Sequence, residues 1–296
     1  MIEFNLKYMC MKRFLIVVAL SVILGLLMLT AGCSGGGNKN GKKISIAYAN
    51  WAEGIAMTHL AKVALEEKGY EVSLKNADVA PIFASVATGK ADVFMDAWMP
   101  VTHADYMNQY GDKLEVLGEV FSNARIGLVV PSYVTVDSLD ELKDVKEKFD
   151  GNIVGIDAGA GIMSATEKVI DAYQLDMKLQ SSSGPAMTAL LKKSVEDKTW
   201  IVVTGWTPHW MFSRFDLKFL KDPKGIFGDA ERIDIVATKG FAEKDPLVAG
   251  FFRKFKLTNE QMSDLMGYLA NDTVSEAEGA KMWKDKNQEL VEGWFE

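Results

Sequence analysis

Residues 43–74 read KISIAYANWAEGIAMTHLAKVALEEKGYEVSL, and this stretch indicates how the body of the chain folds. Apolar and polar residues alternate over Lys43–Tyr48, a pattern typical of a β-strand. Apolar residues then recur at helical spacing over Glu53–Lys68, and Gly69 ends the predicted helix. A second strand is predicted over Tyr70–Leu74. A strand, a helix and a strand in this order are typical of a parallel sheet covered by helices.

The rest of the chain continues this alternation of strands and helices. Further strands are predicted over Ala91–Met95, Ile126–Val130, Ile153–Ile156, Trp200–Thr204 and Ile233–Ala237. Helices are predicted over Val79–Thr88, Ile162–Ala172, Ala186–Lys193 and most of the chain after Pro246. The pattern predicts an α/β fold of parallel sheets with covered faces. Ligands of such sheets bind beyond the carboxyl ends of the strands, so residues that follow strands are the candidates for function.

Three tryptophans come shortly after predicted strands, each near a turn residue. Trp51 follows the first strand, Trp98 lies in DAWMP (96–100), and Trp206 lies in GWTPH (205–209). Packing in a core or under a lid would also explain these rings. A ligand with a trimethylammonium group is the functional alternative, because that group has charge but no N–H to donate, and indole faces attract it. Three desolvated ring contacts of about 2 kcal/mol each would supply several kcal/mol of binding free energy.

A glycine-rich turn before a predicted helix is a candidate anion site. The segment DAGAGIM (157–163) does not have the GxGxxG spacing of dinucleotide-binding loops. Free N–H groups at the start of the helix would attract a carboxylate, although a tight turn alone would also require glycine. His103 and His209 each lie near a tryptophan and are candidate donors to the same anion, and a structural role is open for both. A cation site beside an anion site fits a zwitterion such as a betaine.

Four segments together resemble the glycine betaine-binding proteins of ABC importers. They are ANWAEG (49–54), DAWMP (96–100), DAGAGIM (157–163) and GWTPHW (205–210). The resemblance extends over nearly all of residues 43–296. It implies a class II periplasmic-binding-protein fold with two parallel or mixed sheets and a ligand cleft between two lobes. It also implies that ligand binding closes the lobes about a hinge and that the closed form docks on permease subunits in the membrane.

The resemblance further implies a division of the chain and a role for each candidate residue. One lobe would contain residues 42–125 and 231–296, and the other residues 126–230. Indole faces would form an ammonium cage, while backbone N–H groups and one histidine would bind the carboxylate. The implied ligand contacts are Trp51, Trp98, Trp206, Gly161, Ile162 and His103.

The identity of the ligand and the class of protein each have an alternative. Choline-binding relatives share the three rings and are expected to add an acidic partner for the hydroxyl, for which Glu53 and Asp105 are candidates. Carnitine and proline betaine are further candidate ligands. An exported enzyme on the same fold is the alternative of a different class. The serines at 181–183 have no histidine–aspartate spacing that would support a nucleophile, and they predict a helix cap instead.

Composition excludes several other functions. The chain has 296 residues, a net charge of −7 and no dense basic cluster, which disfavours nucleic acid as a partner. Its two cysteines, Cys10 and Cys33, both lie near the amino terminus, so no disulfide or cysteine-based metal site is expected in the body. The three histidines form neither an HxxxH nor an HExxH pair. The sequence therefore predicts no metal and no cofactor.

The amino terminus has the layout of a secretory signal peptide. Lys12 and Arg13 precede a charge-free apolar run over residues 14–29, and small residues follow the run. The run is shorter than the roughly 20 residues of a membrane span, although a signal-anchor helix is the alternative. Met11 would begin a compact signal peptide by itself, so either Met1 or Met11 could be the start.

The end of this segment predicts a lipid anchor. LTAGC (29–33) resembles a bacterial lipobox, with Thr30 where leucine is usual. The resemblance implies that residues 1–32 are removed as a lipoprotein signal peptide and that Cys33 receives a lipid. Residues 33–41 then read as a flexible tether. The expected location is extracytoplasmic, on the outer face of the cell membrane.

Overall fold

The computed structural model of this chain describes residues 42–270 and 273–296. The strands in these residues are β1 (Lys43–Tyr48), β2 (Glu71–Asn76), β3 (Val93–Met99), β4 (Leu114–Pro131), β5 (Asn152–Val154), β6 (Lys178–Gln180), β7 (Val203–Thr207), β8 (Leu217–Phe219) and β9 (Glu231–Thr238). The signal peptide, Cys33 and the tether that the sequence predicts lie outside the described residues.

Helices separate most of the strands and fill the carboxyl-terminal part of the chain. The α-helices in the described residues are α1 (Ala52–Glu67), α2 (Val79–Ala87), α3 (Ala104–Tyr110), α4 (Gly161–Tyr173), α5 (Gly184–Asp197), α6 (Met211–Arg214), α7 (Phe241–Lys244), α8 (Pro246–Lys254), α9 (Asn259–Leu269), α10 (Glu276–Lys286) and α11 (Gln288–Gly293). In the described part of the chain, no helix is both long enough and apolar enough to cross a membrane.

Two mixed sheets share one long strand. In the first sheet the order is β2-β1-β3-β9-β4, with β1 parallel to both neighbours and β9 antiparallel to both of its own. In the second sheet the order is β4-β7-β5-β6, with β8 also beside β4. β5 is parallel to its neighbours, whereas β4 and β7 are antiparallel. The parallel pairing expected from the alternation of strands and helices is found among β2, β1 and β3 and among β7, β5 and β6. The two sheets meet at β4, which pairs antiparallel with β9 and with β7.

β4 changes partners in its middle. Leu114–Ala124 pairs with β9 of the first sheet, and Arg125–Pro131 pairs with β7 and β8 of the second. Asn123, with φ of 61°, lies just before the change, and asparagine tolerates this left-handed backbone better than most residues. The sequence predicted only Ile126–Val130 as strand. It missed the first part because polar residues interrupt the apolar pattern where β4 pairs with β9 through three register shifts.

Two of the three candidate tryptophans lie inside strands rather than after them. β3 and β7 extend past their predicted ends and include Trp98 and Trp206 near their final residues. Trp98 pairs with Ile233 of β9, and Trp206 pairs with Ile126 of β4, so the cross-strand ladder extends both strands. Each strand ends directly before a proline, which has no N–H to continue a ladder. Trp51 does follow β1, as predicted, and it occupies the position directly before α1.

Candidate functional site

A small cavity is lined by residues from elements of both sheets. The first sheet side contributes residues that follow β1, end β3 and precede α3, and the second contributes residues of β4, β7 and the start of α4. The lining residues are Trp51, Glu53, Trp98, Thr102, His103, Ile126, Ile156, Ala160, Gly161, Ile162 and Trp206. The structure therefore brings all three candidate tryptophans together with His103, Gly161 and Ile162. Glu53 also lines the cavity, whereas His209 and Asp105 do not.

Each of the three indole N–H groups is donated to a carboxyl group. Trp51 Nε1 donates to Asp157 Oδ2 at 3.3 Å, and Trp206 Nε1 donates to Glu53 Oε2 at 2.7 Å. Trp98 Nε1 donates to Asp96 Oδ1 at 2.9 Å. All three rings are at most 5% exposed. Because the N–H is the only hydrogen-bonding group of an indole, these bonds leave only ring atoms to face the cavity.

His103 presents one free donor in this site. The side chain is fully buried, and its Nδ1 accepts a hydrogen bond from the backbone N–H of Trp98 at 2.9 Å. Burial lowers the pKa of His103 to about 3, so the ring is neutral and its single proton is on Nε2. That Nε2 has no hydrogen-bond partner among the described residues. The His103 ring also lies parallel to the Trp51 ring, with centroids 5.8 Å apart.

Gly161 and Ile162 are the first two residues of α4, and both line the cavity. N–H groups in the first turn of an α-helix have no acceptor within the helix, and the helix dipole adds partial positive charge there. A Cβ at Gly161 would overlap the backbone carbonyl of Thr102, which lies between β3 and α3. Glycine is thus required at this position by a close approach between the two sides of the cavity.

Glu53 and Asp96 form a buried acidic pair, of which Glu53 lines the cavity and Asp96 accepts from the Trp98 ring. Each is 1% exposed, and Asp96 Oδ2 has no hydrogen-bond partner among the described residues. Burial raises the pKa of Asp96 to about 7, against the hydrogen bond from Trp98. Burial, and next the Asp96 carboxyl, raise the pKa of Glu53 well above its usual range. Both shifts favour the neutral acid and so reduce the fixed negative charge next to the cavity.

The second histidine has a different environment. His209 packs edge-on against Trp206 with ring centroids 4.7 Å apart, and its Nδ1 accepts a hydrogen bond from the backbone N–H of Met211 at 3.0 Å. Burial lowers the pKa of His209 to about 3. The ring therefore supports Trp206 from outside the cavity lining. Asp105 is exposed on α3, in the first turn of that helix.

Sequence reasoning missed several residues of the site. Asp96 and Asp157 anchor the rings of Trp98 and Trp51, and neither was a candidate. Asp96 could have been found, because residues two apart in a strand share a face. Asp157 is separated from Trp51 by 106 positions, and no local pattern relates the two. The remaining missed lining residues are Thr102, Ile126, Ile156 and Ala160.

The described residues contain no group of three or more histidine, cysteine, aspartate or glutamate side chains that could hold a metal ion. The site is instead an aromatic enclosure with a neutral imidazole donor and a helix amino terminus. Such a site suits binding of a small ligand that has a diffuse cation and an anion.

Comparison with known proteins gives the family. Residues 42–286 match the family model described as the substrate-binding domain of ABC-type glycine betaine transport systems. This chain belongs to that family. The prediction made from the four segments is thereby confirmed, and the family's members are substrate-binding components of transporters.

Individual relatives agree with the family match. The chain is 45% identical over 178 residues to the glycine betaine/carnitine transport binding protein GbuC of Listeria monocytogenes, an alignment that covers 59% of this chain and 57% of that relative. Among solved structures, lactococcal OpuAC in its closed, glycine betaine-bound conformation has a TM-score of 0.81 and 36% identity, over 86% of this chain and all of that chain. The glycine betaine, L-proline-binding protein ProX of Borrelia burgdorferi has a TM-score of 0.82 and 33% identity, over 86% of this chain and 97% of that chain. The predicted two-lobed class II periplasmic-binding-protein fold is confirmed by these likenesses.

We predict that Asp96→Asn changes the dependence of stability on pH. The folded chain raises the pKa of Asp96 to about 7. Folded Asp96 therefore keeps a proton that the unfolded chain releases near about pH 4, and stability is lost as the pH rises through this window. Asparagine cannot ionise but can still accept from Trp98 Nε1, so the stability of the variant relative to the wild type should rise by about 3 kcal/mol between about pH 5 and pH 8.

Chemical denaturation at both pH values measures this gain. Asp105→Asn, which removes an exposed carboxylate on α3, is the control and should show no such gain. A stability difference between Asp96→Asn and the wild type that stays constant with pH would contradict the raised pKa.

Proposed function

We propose that this protein is the substrate-binding component of an ABC importer and that its ligand is glycine betaine, an osmoprotectant. The observation that carries the proposal is the convergence on one cavity of three indole rings, a helix amino terminus and an imidazole N–H that has no partner among the described residues. Glycine betaine has a trimethylammonium group, which the indole rings match, and a carboxylate, which the imidazole N–H and the helix amino terminus match.

The trimethylammonium group would be enclosed by Trp51, Trp98 and Trp206. Its charge is spread over methyl groups that cannot donate a strong hydrogen bond, so the negative faces of aromatic rings are its best partners. The desolvated rings contribute about 2 kcal/mol or more each. The neutral forms of Glu53 and Asp96 suit a zwitterion as well, because a fixed negative charge in the cavity would repel the ligand carboxylate.

The carboxylate would be bound by His103 and the start of α4. The Nε2 proton of His103 is buried and without a partner among the described residues, so an acceptor there removes the cost of an unsatisfied donor. The backbone N–H groups of Gly161 and Ile162 add a helix amino terminus, a favourable site for an anion. His209 is outside the cavity lining, so we assign the side-chain donor to His103.

Binding is proposed to close two lobes about a hinge. The lobes would contain residues 42–125 with 231–296, and residues 126–230. The change of partners within β4 near Ala124 supports this division, because one strand belongs to both sheets at that point. A ligand that touches both sides has higher affinity for the closed form and so shifts the population toward it.

Choline is the second candidate ligand. Glu53 lines the cavity and could accept a hydrogen bond from the choline hydroxyl, which favours this reading over carnitine. Two observations weigh against it: Glu53 already accepts from Trp206, and its raised pKa favours the neutral acid. An exported enzyme has less support. In the cluster of serines at 181–183, Ser183 accepts a hydrogen bond from Ala186 N and caps α5, which is a structural role and not that of a nucleophile.

The proposal includes a location and partners. Cys33 would carry a lipid and hold the protein on the outer face of the cell membrane, after removal of residues 1–32. The tether of residues 33–41 would let the body reach permease subunits in the same membrane. The basic start, the apolar run and the lipobox-like LTAGC motif support this arrangement.

We predict that Trp98→Ala weakens glycine betaine binding by about thirtyfold or more, because one desolvated cation–π face is lost. Isothermal titration calorimetry measures the affinity. Trp200→Ala is the matched control, since Trp200 packs against Phe149 away from the cavity and its loss should leave the affinity close to that of the wild type. An unchanged affinity in Trp98→Ala would refute the aromatic cage.

We predict that His103→Ala weakens glycine betaine by about tenfold and choline much less, because only the betaine has a carboxylate to accept from Nε2. Parallel titrations with the two ligands measure the ratio. His59→Ala, a change outside the cavity lining, should weaken neither ligand. Equal losses for both ligands in His103→Ala would mean that the imidazole does not bind the carboxylate.

We predict that Gly161→Ala abolishes or severely weakens binding while the protein stays folded. The added Cβ would overlap the carbonyl of Thr102 and hold the two sides of the cavity apart. Gly159→Ala is the control in the same turn, because its Cβ would approach no atom more closely than 3.8 Å. Calorimetry gives the affinity and circular dichroism checks the fold. A Gly161→Ala variant with wild-type affinity would contradict the close approach.

A further inference from the structure

The three bonds from indole N–H to carboxyl differ in what they connect. Trp98 and Asp96 both belong to β3, so their bond lies within one strand. The other two bonds join residues 106 and 153 positions apart, and each runs from elements of one sheet to elements of the other. We call these two the cross-sheet bonds: one joins Trp51 to Asp157, and the other joins Trp206 to Glu53.

One short segment, from Trp51 to Glu53, donates one cross-sheet bond and accepts the other. Trp51, which follows β1 of the first sheet, donates to Asp157, which follows β5 of the second. Glu53 stands two residues after Trp51 in the first turn of α1, and it accepts from Trp206 in β7 of the second sheet. The segment from Trp51 to Glu53 is therefore held to the second sheet side by both a donor and an acceptor.

Asp157 acts at a distance from the cavity. It is half-buried and does not line the cavity, whereas its partner Trp51 does. Its backbone carbonyl accepts from Ala160 N at 2.9 Å, which fixes the turn that leads into α4. The carboxylate does not contact the cavity, and its hydrogen bond acts on a ligand through the ring of Trp51 and through the approach of the two sheet sides.

We propose that the cross-sheet bonds are a latch for the closed form and that Asp157 is its positioning residue. The proposal rests on the function proposed above. Each bond can form only when the two sides are together, and each also fixes the orientation of a ring in the cage. Closing the cleft and completing the cage are then one event. Opening breaks both bonds, so the latch slows release of ligand rather than speeding its capture.

Other contacts between the two sides limit the size of the effect. Tyr106 Oη donates to Gly159 O at 2.9 Å, and Arg214 Nη2 donates to Ala270 O at 2.8 Å. These bonds do not involve Asp157 and remain in its variants. Loss of Asp157 should therefore weaken the closed form without preventing closure.

The test is the dissociation rate of glycine betaine, measured by stopped-flow tryptophan fluorescence on the full chain. Asp157→Ala should raise this rate by about tenfold and change the association rate by less than about twofold. Asp157→Asn keeps an oxygen that can accept from Trp51, so it should restore part of the slow release. Asp171→Asn removes an exposed carboxylate of α4, the helix that follows the Asp157 turn, and should dissociate like the wild type.

A double-variant comparison separates a latch from a general loss of structure. Trp51→Phe keeps an aromatic face but removes the N–H, so adding Asp157→Ala to it should cause little further acceleration. Fully additive effects, or a slower association with unchanged dissociation, would overturn the latch.

A measurement without ligand tests the latch independently of the proposed function. Small-angle X-ray scattering of the ligand-free protein should show Asp157→Ala to be more open on average than the wild type and Asp171→Asn. If the wild type fails to bind glycine betaine, the proposed function fails while this comparison still decides the latch. If the wild type binds but Asp157→Ala matches it in both scattering and dissociation, only the latch is refuted.

Discussion

The attraction between a methylated cation and the faces of aromatic rings is the interaction on which this site depends. A quaternary nitrogen has no proton to donate, and a lone carboxylate would lose more hydration than it regains from so diffuse a charge. Ring faces can enclose such a cation only if the N–H of each indole is hydrogen-bonded away from the cavity. In this chain Asp157, Asp96 and Glu53 each accept one indole N–H, which leaves ring atoms for the cavity.

That requirement explains two features that would otherwise be costly. A buried pair of ionised acids would be unfavourable, and burial raises the pKa of both Glu53 and Asp96, which favours their neutral forms. The fully buried His103 has a depressed pKa and one donor without a partner among the described residues. Features that reduce stability and converge on one cavity are typical of functional sites.

Most of the candidate residues chosen from the sequence line one cavity, whereas several predicted strand bounds differ from those of the structure. Trp51, Trp98 and Trp206 could be chosen because large rings near the ends of strands are hard to place in a core. Trp98 and Trp206 were predicted to follow their strands, but they lie inside β3 and β7, because cross-strand pairing extends both strands. Asp157 could not be found, because its bond to Trp51 is a long-range contact with no local pattern. The choice of His103 over His209 needed coordinates, because Nδ1 of each ring accepts a backbone N–H. His103 differs in lining the cavity and in having an Nε2 without a partner among the described residues.

In the proposed function the rings recognise the positive charge on the ligand nitrogen and not only the shape of its methyl groups. Calorimetric titration of the wild-type protein with glycine betaine and with tert-butylacetate measures this directly. The two ligands have the same shape and the same carboxylate, and differ in a carbon that replaces the charged nitrogen. We expect tert-butylacetate to bind at least about a hundredfold more weakly, because every cation–π contact is lost. Equal affinities would mean that the three indoles act only as an apolar pocket and that the ligand charge is not recognised.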